Sequence, residues 1–314
     1  MASPRASGNQ GAELPPGGDR ALPRVSAGAL SAGQRDEVLR LTAAATASDG
    51  VAPLSEHVML HLRYGGTAGM DLTTAVAGHV TGYGYLDVDD SGAVSGELVA
   101  GPAHRRHGAG RALLAAMAAR AGERPLQVWA HGDLPAAAAL ARAAGLHRVR
   151  ALWQMRRSLR DPLPEPLVPG DVRLRTFVPG RDEDEWLRLN AAAFAHHPEQ
   201  GAWTRADLDV REREDWFDPA GFFLAERDGR LVGFHWTKVH DAATGEVYVV
   251  GVDPAAHGGG LGRALTLTGL RYLRDARSLI TVMLYVDESN HAAVRMYETL
   301  GFTRTTTDVM YGTS

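Results

Sequence analysis

The stretch Pro254-Ala255-Ala256-His257-Gly258-Gly259-Gly260-Leu261-Gly262-Arg263 decides the fold. Before it, Glu246 to Val252 is mostly β-branched and reads as a strand. After it, Arg263 to Arg274 reads as a helix, with Leu267, Leu270 and Leu273 on one buried stripe and Arg271 and Arg274 facing out. A glycine run at a helix start lets consecutive backbone N–H groups converge on one anion, and the helix dipole adds attraction. The same glycines also suit a plain turn that needs positive φ. Two nucleotide-binding patterns fail here. No Gly-Lys-Ser/Thr follows, and Gly258-x-Gly260-x-x-Arg263 does not complete a dinucleotide fingerprint.

Outward from the turn, Phe222 to Glu226 and Leu231 to Lys238 read as strands joined by Asp228-Gly229, a hairpin dipeptide. Val282 to Val286 reads as a further buried strand, followed by a helix over Asn290 to Leu300. The same order of signals occurs earlier in the chain. Gly82 answers Gly233, Pro102 answers Pro254, Gly108-Ala109-Gly110-Arg111 answers Gly260-Leu261-Gly262-Arg263, and Gly145 answers Gly301. Anchors that keep their order and nearly constant spacing indicate a duplication. Four prolines, Pro162, Pro164, Pro166 and Pro169, favour an extended connector between the copies. The reading is therefore a Gly-, Pro- and Ala-rich disordered tail over 1–26, a first domain over 27–157, a linker over 158–171 and a second domain over 172–314. Each domain is expected to be α/β, a mixed central sheet flanked by helices.

The chain has 314 residues, enough for two domains of about 150 residues each. Its net charge of −4 gives no general electrostatic reason to bind nucleic acid or an anionic membrane. With no cysteine there is no disulfide, thiolate nucleophile or thiolate metal site. His196-His197, His235 and His240 lack a matching carboxylate spacing, so polar packing is expected of them and no metal site. No signal peptide or membrane span is read, which leads to the expectation of a cytoplasmic monomer acting on a small molecule.

The turn resembles the pyrophosphate loop of the GNAT superfamily of acetyltransferases, Arg/Gln-x-x-Gly-x-Gly/Ala after a strand. It appears here as His257-Gly258-Gly259-Gly260-Leu261-Gly262 and, in the first half, as Arg105-Arg106-His107-Gly108-Ala109-Gly110. Ser48-Asp49-Gly50-Val51-Ala52-Pro53, His131-Gly132, Ala195-His196-His197-Pro198-Glu199-Gln200-Gly201, Phe234 to His240, Gly245 to Val249 and Ala293 to Tyr297 resemble the mycothiol synthase family within that superfamily. That resemblance runs from about Ala27 to the C-terminus and implies two tandem GNAT-type domains. It also implies acetylation, by acetyl-CoA, of the cysteinyl amine of desacetylmycothiol, a cysteinyl-glucosamine-inositol, in the last step of mycothiol biosynthesis. A tandem acetyltransferase for another small amine and a non-catalytic acetyl-CoA-binding protein are the alternatives.

Acetyl transfer to an amine needs a base for the resting ammonium, donors for the oxyanion and a proton for the departing thiolate. The resemblance implies Glu246 as base and Tyr297 as acid. It implies acetyl-CoA contacts from Val250, Gly251, Val252, His257, Gly258, Gly259, Gly260, Leu261, Gly262, Arg263, Asn290 and Arg295. In the first half it implies them from Leu98, Val99, Ala100, Arg106, His107, Gly108, Ala109, Gly110 and Arg111. Backbone N–H groups near Val250 to Val252 are expected to hold the oxyanion, with Gly251 allowing close approach. Acceptor contacts are implied for Glu56, Glu199, Lys238, Glu246 and Tyr285. At the repeat offset Val94 stands in place of Glu246 and Ala141 in place of Tyr297, so the first half is expected to bind or support without catalysing.

Overall fold

The computed structural model describes residues 21–65, 69–88, 92–197 and 200–313. The Asp228-Gly229 dipeptide behaves as expected. Both residues have positive φ, 51° and 75°, the geometry whose twist suits a tight hairpin. It joins β8 (Phe222–Arg227) to β9 (Arg230–Val239), which pairs in turn with β10 (Thr244–Val252). The β10 strand pairs in parallel with β11 (Thr281–Asp287), and β7 (Arg173–Thr176) lies on the outer side of β8. The first half repeats this plan with β1 (Val25–Ala27), β2 (Met70–Val76), β3 (His79–Val88), β4 (Val94–Ala100) and β5 (Leu126–Ala130). Each half ends its chain with one more long strand, β6 (His147–Ser158) and β12 (Thr303–Gly312).

These last strands are exchanged. All described strands join one 12-stranded sheet in the order β1-β2-β3-β4-β5-β12-β6-β11-β10-β9-β8-β7. The second half's β12 pairs antiparallel with β5, while the first half's β6 pairs antiparallel with β11 and with β12. The two mixed sheets expected from the repeat are thus continuous, each completed by the other half's final strand.

Helices cover both faces. One face carries α1 (Ala32–Asp49), α2 (Glu56–Tyr64), α5 (Glu183–Ala193) and α6 (Arg205–Glu212). The hydrophobic clusters beneath them are built on Tyr83, Tyr85 and Val99 in the first half and on Trp186, Phe222, Phe234 and Trp236 in the second. The other carries α3 (Ala109–Ala121) and α4 (Pro135–Ala143), then α7 (Leu261–Arg271) and α8 (His291–Thr299). The helix read as Arg263 to Arg274 starts at Leu261 and changes to π-helical geometry over Tyr272–Ala276; Leu267, Leu270 and Leu273 are buried as its stripe requires.

Contacts tie the connector, and the end of the stretch before the first domain, to the body of the protein. Leu159 and Leu163 are buried in the second half's core, and the Leu159 N–H donates to the Ile280 carbonyl at 2.9 Å. Within the stretch 1–26, residues 1–20 lie outside the described residues, while Val25–Ala27 forms an edge strand on Leu72 to Thr74.

Candidate active site

The glycine-rich turn adopts the same backbone in both halves. In the second, a 3₁₀ turn over Pro254–Ala256 leads to Gly258 and Gly260 with φ of 88° and 76°, and α7 starts with no side chain capping it. In the first, Pro102–His104 leads to Arg106 and Gly108 with φ of 64° and 89°, and α3 starts equally uncapped. Left-handed residues before a free helix N-terminus turn unpaired N–H groups outward, which fits an anionic pyrophosphate. At Gly258, Gly259 and Gly260 the space where a side chain would stand is open. At Gly108 it is not, since Pro23 Cδ and Leu22 Cδ2 would lie 3.1 and 3.3 Å from an added Cβ. Arg105 is engaged as well, its guanidinium bidentate on Asp49 at 2.7 and 2.6 Å.

Beside each turn the sheet opens. Parallel pairing of β10 with β11 ends at Val247–Leu284, next to a bulge between Val247 and Val249, so Val250 to Val252 pair only with β9. In the first half β4 and β5 part after Glu97–Trp129, leaving Leu98 to Ala100 paired only with β3. These freed strand edges are the residues expected to meet acetyl-CoA and the oxyanion. Gly251 has a packing reason for being glycine as well: a Cβ there would stand 2.8 Å from the Phe234 ring and 3.1 Å from Ala193 Cβ. Asn290 caps α8 by accepting from Ala293 N–H at 3.1 Å, and His257 Nε2–H donates to the Val252 carbonyl at 3.0 Å. Arg263 lies 3.4 Å from the Thr299 hydroxyl, whereas Arg295, Arg111 and His107 are exposed.

Glu246 sits early on β10, only 6% exposed. His240, in the loop between β9 and β10, donates from Nε2 to Glu246 Oε2 at 2.7 Å. Tyr285 on the neighbouring β11 accepts from Gln154 Nε2 at 2.9 Å. Desolvation and then the Glu246 charge push the Tyr285 hydroxyl up to about 12, which keeps it a protonated donor near neutral pH. Tyr297 is buried against Phe302, and its hydroxyl has no hydrogen-bond partner among the described residues. Burial alone raises its pKa, so it too stays protonated.

The acceptor side is built by both halves. Ser55 caps α2, with its own N–H on Glu97 Oε2 at 2.6 Å, and this fixes Glu56 at the helix start. Glu56 reaches across to Lys238 and to the Tyr248 hydroxyl, which in turn accepts from Arg211 Nε at 2.8 Å. Burial would raise the Glu56 pKa, but the charges of Lys238 and Arg211 outweigh it and hold the carboxyl below its usual range. Lys238 also lies 4.4 Å from the centre of the Trp216 ring. Arg63 and Tyr64 of α2 bind Glu214 at 2.7 Å each. Glu56, Arg63, Tyr64, Glu214, Lys238 and His240 line a cleft of about 650 Å³ between the halves. Glu199 lies outside the described residues.

The model of the acetyltransferase (GNAT) family matches residues 185–302. Over 295 residues the chain is 61% identical to the mycothiol acetyltransferase of Thermomonospora curvata, covering 93% of this chain and 97% of that protein. Over 286 residues it is 59% identical to that of Thermobispora bispora, covering 89% and 96%. The chain belongs to the mycothiol acetyltransferase family. Among solved structures, the tandem GNAT protein from the clavulanic acid biosynthesis pathway matches with a TM-score of 0.71 at 23% identity, covering 92% of this chain and 98% of that one. A GCN5-related N-acetyltransferase from Sphaerobacter thermophilus matches at 0.67 and 24%, covering 93% and 96%. These two likenesses establish the tandem GNAT fold, and membership of the mycothiol acetyltransferase family makes the chain an acetyl-CoA-dependent N-acetyltransferase.

Sequence reasoning missed Tyr248, Arg211 and Gln154, and it read His240 as polar packing together with His196, His197 and His235. His235 is that: fully buried, its Nδ1–H donates to the Leu265 carbonyl at 2.8 Å and burial pulls its pKa down to about 4. Among the described residues no group of three or more His, Asp or Glu side chains could hold a metal ion, and no helix is long and apolar enough to cross a membrane.

Proposed function

We propose that the protein transfers the acetyl group of acetyl-CoA to the cysteinyl amine of desacetylmycothiol, completing mycothiol, with one catalytic centre in the second half. The observation that carries this reading is Glu246, a buried carboxylate with one oxygen held by His240 and no hydrogen-bond partner among the described residues on the other, beside the cleft that both halves line. Glu246 removes a proton from the resting ammonium, directly or through one water. The backbone N–H groups of Val250 to Val252 face the carbonyl oxygen as it gains charge. Tyr297 donates its proton to the departing thiolate. Glu56, Lys238, Tyr285 and Glu199 hold the acceptor, since carboxylates suit an ammonium and hydroxyls while Lys238 and Tyr285 donate to a polyol. The α7 N-terminus with Gly258 to Gly262 holds the pyrophosphate, and Arg263, Asn290 and Arg295 flank it.

Purified protein would be given acetyl-CoA with desacetylmycothiol, glucosamine, spermidine or a cysteinyl peptide, and thiol release and acetylated product followed by mass spectrometry. Turnover confined to desacetylmycothiol is the expected result. Equal turnover of spermidine would replace the acceptor assignment, and acetyl-CoA binding without transfer to any amine would remove the reaction. The same preparation is expected to run as a monomer and to keep its rate in a chelator, and a fluorescent fusion is expected to fill the cytoplasm.

A further inference from the structure

The β9–β10 loop is held by its own hydrogen bonds. The His240 N–H donates to the Thr244 carbonyl at 2.9 Å, and Asp241 Oδ1 accepts from the N–H groups of Ala243 and Thr244 at 2.7 and 2.8 Å. That turn aims the imidazole, 35% exposed and on the cleft wall, at one oxygen of Glu246. Oε2 accepts from His240 Nε2 at 2.7 Å, while Oε1 has no hydrogen bond among the described residues. A carboxylate free to rotate presents its lone pairs to the reacting proton only part of the time. Held by one oxygen, it presents the other in one direction.

We propose that His240 is a positioning residue for acetyl transfer: its Nε2–H holds Glu246 Oε2, so that Oε1 faces the amine in the cleft. This rests on the reading of Glu246 as the base. His240 itself neither gains nor loses a proton in the step, and its contribution is the orientation of the group that does. A Gln side chain can place an amide N–H near the position of imidazole Nε2, so the donor can be restored without the ring.

The experiment compares wild type with His240→Ala, His240→Gln, Glu246→Gln and the double variant His240→Ala/Glu246→Gln, measuring kcat, both KM values and acetyl-CoA affinity by calorimetry. His240→Ala is expected to lower kcat roughly 10- to 100-fold, the scale on which misalignment of a reacting group slows a step, with acetyl-CoA affinity unchanged. His240→Gln is expected to recover most of that loss, and should His240→Ala fail to fold, it provides the test by remaining near wild type. In the Glu246→Gln background, removal of the ring is expected to cost nothing more. Wild-type kcat in His240→Ala alongside a slow Glu246→Gln would overturn the positioning role and leave the base in place. Losses that multiply in the double variant would also overturn it. A Glu246→Gln variant with wild-type kcat would remove the base and the positioning role together.

Discussion

The two halves share a backbone and differ in what they put on it. Both form a strand, a 3₁₀ turn, two left-handed residues and an uncapped helix, and both open their sheet at the same point. In the second half that frame carries Glu246 and Tyr297. At the matching places the first half has Ser95, because the bulge in β10 shifts the repeat by one residue and Ser95 faces Asp87 as Glu246 faces Lys238, and Ala141, which is buried in its hydrophobic core. Its turn is crowded by Leu22 and Pro23 where the other is open. The polar residues it keeps serve position: Glu97 holds the start of α2, and α2 delivers Glu56 to the other half's cleft. Backbone hydrogen bonding and strand order restrain the frame throughout, whereas a side chain that no longer reacts is restrained only by packing.

The largest expected effect separates the two strands. Glu246→Gln should lower kcat by about 10²- to 10⁴-fold, the range for loss of a positioned proton-transfer group, while Ser95→Gln should leave the kcat of the folded protein unchanged. Steady-state assays corrected for active protein by acetyl-CoA titration would read this. Equal losses would mean that both halves react.

The exchanged strands provide the next test. His131, just after β5, is largely buried with Nδ1 3.0 Å from Asp308 of β12 and Nε2 3.5 Å from Glu97. Asp308 also accepts from Gly132 N–H at 2.8 Å. Removing one member of a buried charged cluster strands the others, so Asp308→Ala should cost about 3 kcal/mol in urea unfolding. Because Asp308 comes from the second half and His131 from the first, both halves should lose stability in one transition. Two separated transitions would contradict a sheet that depends on the exchange.

Between pH 7 and 9 the same histidine gives a pH signature slightly smaller than that loss. Burial lowers its pKa, but Asp308 and Glu97 outweigh this and raise it from 6.5 to about 10. With the folded value above the unfolded one, the stabilisation is complete below pH 6.5 and is lost as pH rises through about 10. The limiting slope is about 1.4 kcal/mol per pH unit. Urea midpoints between pH 7 and 9 should fall accordingly, and a His131→Gln variant should lack that part of the slope. Smaller again, Tyr297→Phe should lower kcat by about 10-fold, below the usual range for a positioned acid because a thiolate departs readily. Ala141→Ser should leave kcat where it is.

Much of this was readable from the chain. Asp228-Gly229, the two glycine turns and the repeat spacing each have a local cause, a positive φ or a helix start, and each appears where expected. The exchange of β6 and β12 was not, because period-two patterning marks a strand without naming its partner. The cross-half contacts were hidden for a related reason: Glu56 meets Lys238 and Tyr248 across 182 and 192 residues. His240 was within reach. Six residues from Glu246 across a hairpin loop, it could have been placed near that carboxylate by strand register alone. Gly251 has a second cause that the sequence did not show, since its missing side chain makes room for the Phe234 ring.

The smallest expected effect bears on the two cradles themselves. Gly260 and Gly108 both have positive φ, and an alanine in that region costs about 1–2 kcal/mol of backbone strain. At Gly260 nothing else opposes a methyl group, so the strain can relax only by turning the N–H groups that face the pyrophosphate. Gly260→Ala should therefore raise the acetyl-CoA KM several-fold with kcat nearly unchanged. At Gly108 the methyl meets Pro23 and Leu22 as well, so Gly108→Ala should lower stability more than Gly260→Ala does, yet leave the acetyl-CoA KM of turnover untouched. A rise in that KM from the Gly108 change would mean that the first cradle communicates with the second through the shared sheet. No rise would confine its part in turnover to the scaffold that carries Glu56 and β6.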